Sequence, residues 1–272
     1  MQPLATTPGA MIGSLWRNRG LIRALVEREV VGRYRGSVLG ILWSFFNPVF
    51  MLVVYTFVFS VVFKARWSAG SESRAEFALV LFAGILVFNL FAECINRAPS
   101  LILANANYVK KVIFPLEILP WVAFGAALFH AFVSLIVWLV FSFFIIGTPH
   151  VTLLLFPLLL VPLTLMIMGL SWFLAALGVF LRDVAQVVGV ITTALMFLTP
   201  IFYPASAIPE TFRFLMAFNP LAFIVGQTHD LLVFGNGLDW GGYTLLTAFA
   251  FLVSWLGFAW FQKTRKGFAD VL

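Results

Sequence analysis

Apolar residues in this chain come in runs too long for strands, separated by short polar or basic stretches. A bilayer core needs about 20 apolar residues of helix. Six runs come near or pass that length: 37–63, 77–95, 116–146, 152–181, 184–202 and 242–261. Pro120 falls in the third run and Pro157 and Pro162 in the fourth, so these two are expected to kink or tilt. No window alternates apolar and polar positions, which argues against a membrane β-barrel. The predicted fold is an all-α integral membrane protein, a single transmembrane domain over 1–272.

Three stretches fit neither a span nor a plain loop. Residues 14–35, SLWRNRGLIRALVEREVVGRYR, put Leu21, Ile22, Leu25, Val26 and Val30 on one helical face, with Arg23, Glu27 and Arg28 on the others and Glu29 intruding on the apolar side. That pattern predicts an amphipathic helix lying in the membrane surface; a plain basic anchor is the alternative. Residues 96–114 carry a short apolar piece, Leu101, Ile102 and Leu103, then Asn105, Asn107 and the pair Lys110 and Lys111. A mere connection between helices needs fewer residues, so this one is expected to pack under the bundle or to dock on a partner. Residues 204–241 contain PETFRFLMAFNP and PLAFIVGQTHDLLVF, each too short to span, divided at Asn219 and Pro220. Two short re-entrant helices before the sixth span explain them best, because broken backbone at membrane depth must be buried in protein or line a wet cavity. Two helices lying flat on the outer surface are the alternative.

Composition strengthens this reading. Only 10% of the residues are charged, against 62% hydrophobic, where a soluble domain carries roughly 25% charge; most of the surface must face lipid or other helices. The net charge of +6 matters through its placement. With the N-terminus inside, only Lys64, Arg66, Arg74 and Arg213 of the 17 lysines and arginines fall outside. That asymmetry predicts two cytoplasmic termini. The lone Cys94 excludes an internal disulfide, and nothing reads as a cleavable signal peptide.

Candidate chemistry is sparse. The chain has no G-x-x-x-x-G-K-[ST], so it offers no P-loop for ATP. His130, His150 and His229 lack metal-ligand spacing, and Asp230 and Asp239 do not form a supported carboxylate pair. The central thirds of the spans hold no Asp, Glu, Lys or Arg, whereas ion-coupled transporters keep carboxylates there. No enzyme, metal or cofactor is expected in this chain, and if it moves something the energy comes from elsewhere. Aromatics are abundant, with 32 Phe, 9 Trp and 5 Tyr; they suit lipid contact and interfacial belts, or a conduit whose rings stack on sugars.

Four stretches carry a family resemblance: RYRGSVLGILWSFFNPVFMLVVYTFVFSVVF at 33–63, NANYVKKVIFPLEILP at 105–120, LRDVAQVVGVITTALMFLTPIFYP at 181–204 and FNPLAFIVGQTHDLL at 218–232. In this order they resemble the membrane subunits of type-2 ABC exporters of bacterial polysaccharide, the O-antigen, teichoic-acid and capsule systems. The resemblance implies a permease of the inner membrane, working as two copies with two separate ATP-binding subunits that hold ATP and Mg. The cargo would be an O-antigen-like polysaccharide on a lipid carrier, with membrane lipid but no nucleic acid as a further partner. It implies that Leu101, Ile102, Leu103, Asn105, Asn107, Lys110 and Lys111 belong to the segment that couples to the ATPase. Arg33 and Arg35, where the interface helix meets the first span, are expected to contact lipid phosphate through their guanidinium forks, with simple positive-inside anchoring as the alternative. Thr199, Pro200, Tyr203, Phe212, Met216, Phe218, Asn219 and Pro220 are expected to shape a gate at the channel exit. A type-2 exporter of a drug or small lipid, and a non-transport protein of polysaccharide assembly, are the competing functions.

Overall fold

A computed structural model describes residues 6–58, 74–109 and 114–272, and the described residues are helical with no strand. Five helices are long and apolar enough to cross a membrane: Gly40–Val58, Ala75–Ser100, Leu116–Ile145, Val151–Phe180 and Trp240–Val271. They coincide with five of the six predicted runs. Their regular α-helical parts are α3 (Trp43–Tyr55), α4 (Arg74–Arg97), α6 (Leu119–Ile145), α7 (Phe156–Phe180) and α11 (Trp240–Thr264). The sixth run, 184–202, yields a shorter helix, α8 (Val184–Leu198), of 15 residues. At 1.5 Å per residue that is roughly 22 Å, against a hydrocarbon core of about 30 Å. Pro200 disfavours helix at the residue before it, and Thr199 is accordingly extended at φ −92°, ψ 137°.

Two of the three prolines expected to kink the long helices act otherwise. Pro120 and Pro157 stand in the first turns of α6 and α7, where no intrahelical N–H is required. Pro162 alone of the three lies inside its helix.

The stretch 14–35 is also more than one helix. Thr7 caps α1 (Pro8–Arg17) by accepting from the Ala10 N–H, and the chain breaks at Asn18 before α2 (Arg19–Tyr34). The apolar face read from the sequence is the packed face of α2: Leu25 joins Ile118 and Val122, flanked by Ile22 and Val26, while Leu21 stays exposed. Glu29, the intruder on that face, is neutralised by Arg97 at the end of α4. Gly36 and Gly40, at φ +86° and +52°, supply the left-handed turn that leads into the first span.

Helix α4 is the axis of the bundle. From Phe77 to Phe91 every residue except Asn89 is buried, with α3 and α6 among its neighbours and α7, α8 and the helix α10 (Pro220–His229) as further ones. Helices α7 and α11 cross closely, on small residues as membrane helix pairs often do. A Cβ at Gly257 would stand 2.0 Å from the Gly169 carbonyl oxygen. At Gly178 of α7 a Cβ would stand 2.1 Å from the Pro99 carbonyl oxygen, so the turn after α4 lies against α7 backbone.

Of the two short helices expected over 204–241, the second is α10 (Pro220–His229), which widens into a π-helical turn at Asp230–Phe234 and stops at left-handed Gly235. The first amounts to a 3₁₀ turn at Glu210–Phe212 and a single helical turn, α9 (Phe214–Ala217). The joint between them is tied down. Asn219 caps α10 through the Leu221 N–H, and its amide donates to Thr199 Oγ at 3.0 Å in a buried position. Asn219→Ala removes both bonds and is expected to cost about 1–2 kcal/mol, the range for a lost helix cap. Thermal unfolding followed by tryptophan fluorescence checks it, with Thr199→Val separating the buried bond from the cap.

Candidate functional site

The ends of α2, α4 and α11 gather with residues 98–109 and 114–118 at one end of the bundle, the basic end. Two polar networks hold it. In the first, Arg33 donates to Glu93 Oε1 at 2.5 Å and lies 2.9 Å from His130 Nδ1. The same His130 nitrogen is 3.2 Å from Glu93 Oε2, and the Tyr34 hydroxyl is 3.1 Å from Nε2. Arg97 extends the network toward Glu29. Helices α2, α4 and α6 are thereby joined through one carboxylate and one imidazole. The second network is more enclosed. Glu117, only 8% exposed, takes a 2.6 Å bond from Arg265 and one of 3.1 Å from the Ser14 hydroxyl. Arg265 also donates to the Phe114 carbonyl, and Trp172 to the Glu117 carbonyl. It ties α1, the start of α6, α7 and the end of α11.

The segment after α4 splits into two faces. Leu101 and Ile102 point into the core, Ile102 completely, and Asn105 bonds back to the Leu101 carbonyl. Leu103 is half-buried, while Ser100, Ala104 and Asn107 are exposed. The short helix α5 (Ala106–Val109) brings Tyr108 onto Phe114 in a stacked pair and under the Arg28 guanidinium, bonded at 2.9 Å. Lys110 and Lys111 lie outside the described residues. A partner meeting this segment would touch Ser100, Ala104 and Asn107 sooner than Leu101 or Ile102. The contiguous Leu-Ile-Leu of the sequence hides that division.

Arg33 and Arg35 also differ. Arg33 is committed to Glu93 and His130, whereas Arg35 is exposed and makes no ion pair with another described residue. The residues picked for the exit divide likewise. Thr199, Pro200, Asn219 and Pro220 meet at the buried joint, and the Tyr203 hydroxyl closes onto the Phe197 carbonyl at 2.7 Å. Phe212 and Phe218 point outward, Phe218 at 84% exposure, and Met216 is half-buried. Among the described residues no group of His, Cys, Asp and Glu is placed to hold a metal.

Two helices keep bare faces. Leu52 is the one buried residue of α3, and α8 buries only Val188 and Thr192. The open side of α8 carries Ala185, Gly189 and Thr193 at four-residue spacing beside Gln186. Small residues so spaced let helix backbones approach closely.

Comparison with known proteins bears directly on this arrangement. The family model for ABC-2 type transporters matches residues 20–229, from α2 through α10. The chain belongs to the ABC-2 type transporter family. It is a permease component of that family, a multi-pass membrane protein. Relatives cover it almost end to end. The O-antigen export system permease protein RfbA of Myxococcus xanthus is 30% identical over 96% of this chain and 98% of its own. A Klebsiella pneumoniae protein of the same name is 26% identical over 93% and 95%. The polysialic acid transport protein KpsM of Escherichia coli is 24% identical over 90% and 93%. Helix α1 and all of α11 lie outside the family match, yet the Ser14–Glu117–Arg265 network joins both to the matched region of this ABC-2 permease.

Proposed function

We propose that this permease carries a lipid-linked, O-antigen-like polysaccharide across the inner membrane, driven by ATP hydrolysis on separate subunits. The near full-length match to permeases named for O-antigen export supports it most directly. Those names also weigh against the drug or small-lipid alternative and against a non-transport role in polysaccharide assembly. In this reading two copies meet through the bare faces of α3 and α8, both termini are cytoplasmic, and two ATPase subunits with Mg and ATP sit under the basic end. Arg35, with its guanidinium uncommitted, is the better candidate of the two arginines for a lipid phosphate. The direct test is deletion of the gene in its native host. Polymer is expected to accumulate on the inner face and vanish from the surface; normal surface polymer after deletion would overturn the reading.

The coupling segment gives a second expectation. Ser100, Ala104 and Asn107, exposed and next to the core-anchored Leu101 and Ile102, are the residues that would meet the ATPase. Replacing all three with Asp is expected to leave the permease inserted and folded, to release the ATPase subunit during co-purification, and to abolish export. Retention of the ATPase with normal export would place the coupling contact elsewhere.

The outer segment gives a third. Phe212 and Phe218, exposed on one copy, would face the partner's equivalents across a channel exit and exclude water there. Phe218→Ser is expected to raise the resting ion conductance of the reconstituted transporter without ATP. An unchanged leak with intact assembly would put the seal deeper, among the aromatics of α3 and the end of α8.

A further inference from the structure

A seam runs between α3 on one side and α4 and α6 on the other, and its two halves differ in chemistry. Toward the basic end it opens into a cavity of about 610 Å³, within the range of small-molecule sites. Farther along, between the C-terminal half of α3 and the start of α4, it narrows to a crevice of about 370 Å³. The crevice is walled by Leu52, Val53, Phe57, Leu79, Phe141 and Ile145, with Thr56 the only side-chain hydroxyl among the described residues there. The cavity is walled instead by Asn47 of α3, Asn89 and Asn96 of α4 and Ser134 of α6, beside the Trp43 and Tyr55 rings.

The amides need an explanation. Asn89 is the single exposed residue of α4 between Phe77 and Phe91, on the most buried helix of the bundle. The side-chain amides of Asn47, Asn89 and Asn96 bond to no other described residue, although each is a double donor and an acceptor. A polar group inside a membrane span is costly unless something satisfies it, and such residues mark functional sites. Asn89 and Asn96 stand seven residues apart, two turns of one helix face, roughly 10 Å of amide-bearing wall.

The charges say what does not bind. Among the described residues Arg33 is the sole Lys or Arg on the cavity wall, and its guanidinium is held by Glu93 and His130. No uncommitted cation among the described residues faces the cavity to take a phosphate. Neutral amides and hydroxyls beside aromatic faces suit an uncharged polyhydroxylated group, whose hydroxyls both donate and accept and whose C–H faces pack on rings. The apolar crevice in line with it suits an alkyl chain.

We propose that the α3–α4/α6 seam is a binding site for an amphiphile with an uncharged sugar head, the sugar lying against Asn47, Asn89 and Asn96 and the chain against α3 beyond Met51. This inference takes its chemistry from the seam alone; only the suggestion that the head belongs to the exported glycolipid rests on the function proposed above.

The permease is placed with its ATPase subunits in phospholipid nanodiscs free of glycolipid. Ser134→Cys in a Cys94→Ser background reports on the cavity wall by its rate of reaction with N-ethylmaleimide. Decyl maltoside below its micelle concentration is expected to slow that reaction several-fold. Decylphosphocholine, with the same chain and a phosphate head, and maltose alone are expected to leave it unchanged. Asn89→Leu with Asn96→Leu is expected to abolish the protection. Equal protection by decylphosphocholine, protection that survives the double substitution, or no labelling of the Ser134→Cys protein at all, as when a second copy fills the seam, would each overturn the site. Export is read separately. If the double substitution also stops export, the head is cargo. If export continues, the occupant is a resident glycolipid, and the site stands even where the transport reading fails.

Discussion

Gly257→Ala is expected to destabilise the permease by about 3 kcal/mol, the upper part of the range for overpacking a close-packed site. One methyl group suffices, because the added Cβ would meet the Gly169 carbonyl oxygen at 2.0 Å and its carbon at 2.7 Å. Both are backbone atoms, so no side chain can rotate away; α7 and α11 must separate along their whole contact. Gly13→Ala is the matched control. Its Cβ would meet nothing within 4 Å, and alanine in a helix is favoured over glycine by roughly 0.5–1 kcal/mol. The yield of monodisperse protein and the melting temperature in lipid nanodiscs are expected to fall sharply for the first and to hold or rise for the second. Equal behaviour of the two variants would mean that the helices do not cross at Gly169.

Arg265→Ala is expected to be nearly as damaging. It leaves the Glu117 carboxylate enclosed with only the Ser14 hydroxyl, and deprives the Phe114 carbonyl of its donor. Removing one partner of a buried ion pair costs about 3–5 kcal/mol; since Arg265 and Glu117 keep 19% and 11% of their side chains exposed, the lower end, about 3 kcal/mol, is expected. The double substitution Glu117→Gln with Arg265→Leu is expected to recover part of the loss, because no charge is then left unpaired. A double-substitution cycle on melting temperature measures this directly. Purely additive losses would show that the pair is an accident of two independent anchors.

Much of the architecture was legible because bilayer thickness writes itself into run length. The long helices and the packed face of α2 follow from that and from helical periodicity. What was hidden has local or long-range causes. The Pro200 break shortened α8, a signal present in Thr199-Pro200 but outweighed by the apolar run around it. Helix α1 was readable from Thr7 and Pro8, a cap followed by a first-turn proline, but it is only ten residues long. The Glu93–His130–Arg33 node joins residues from three separate helices, and a single sequence carries no sign of such a meeting. Gly169 and Gly257 look like any other glycines in apolar helices; only the crossing gives them meaning. The asparagines of the seam were visible as polar residues inside apolar runs, a signal that reading for charge alone passes over.

The enclosed Ser14–Glu117–Arg265 contact sets an order for biogenesis. Helix α1 is the first described element to leave the ribosome, yet it cannot take its final seat until Arg265 has been made. The groove on α7 at Gly169 likewise stays open until α11 arrives. At about 5–20 residues per second, the interval between residues 14 and 265 is roughly 10–50 s. Through that time α1 waits at the membrane surface without Arg265, and between the synthesis of α7 and that of α11 the glycine groove lies open to any neighbouring helix. Chains truncated before Trp240 should therefore present both surfaces at once, which makes the synthesis of α11 and of Arg265 just after it the step that commits the subunit to its fold.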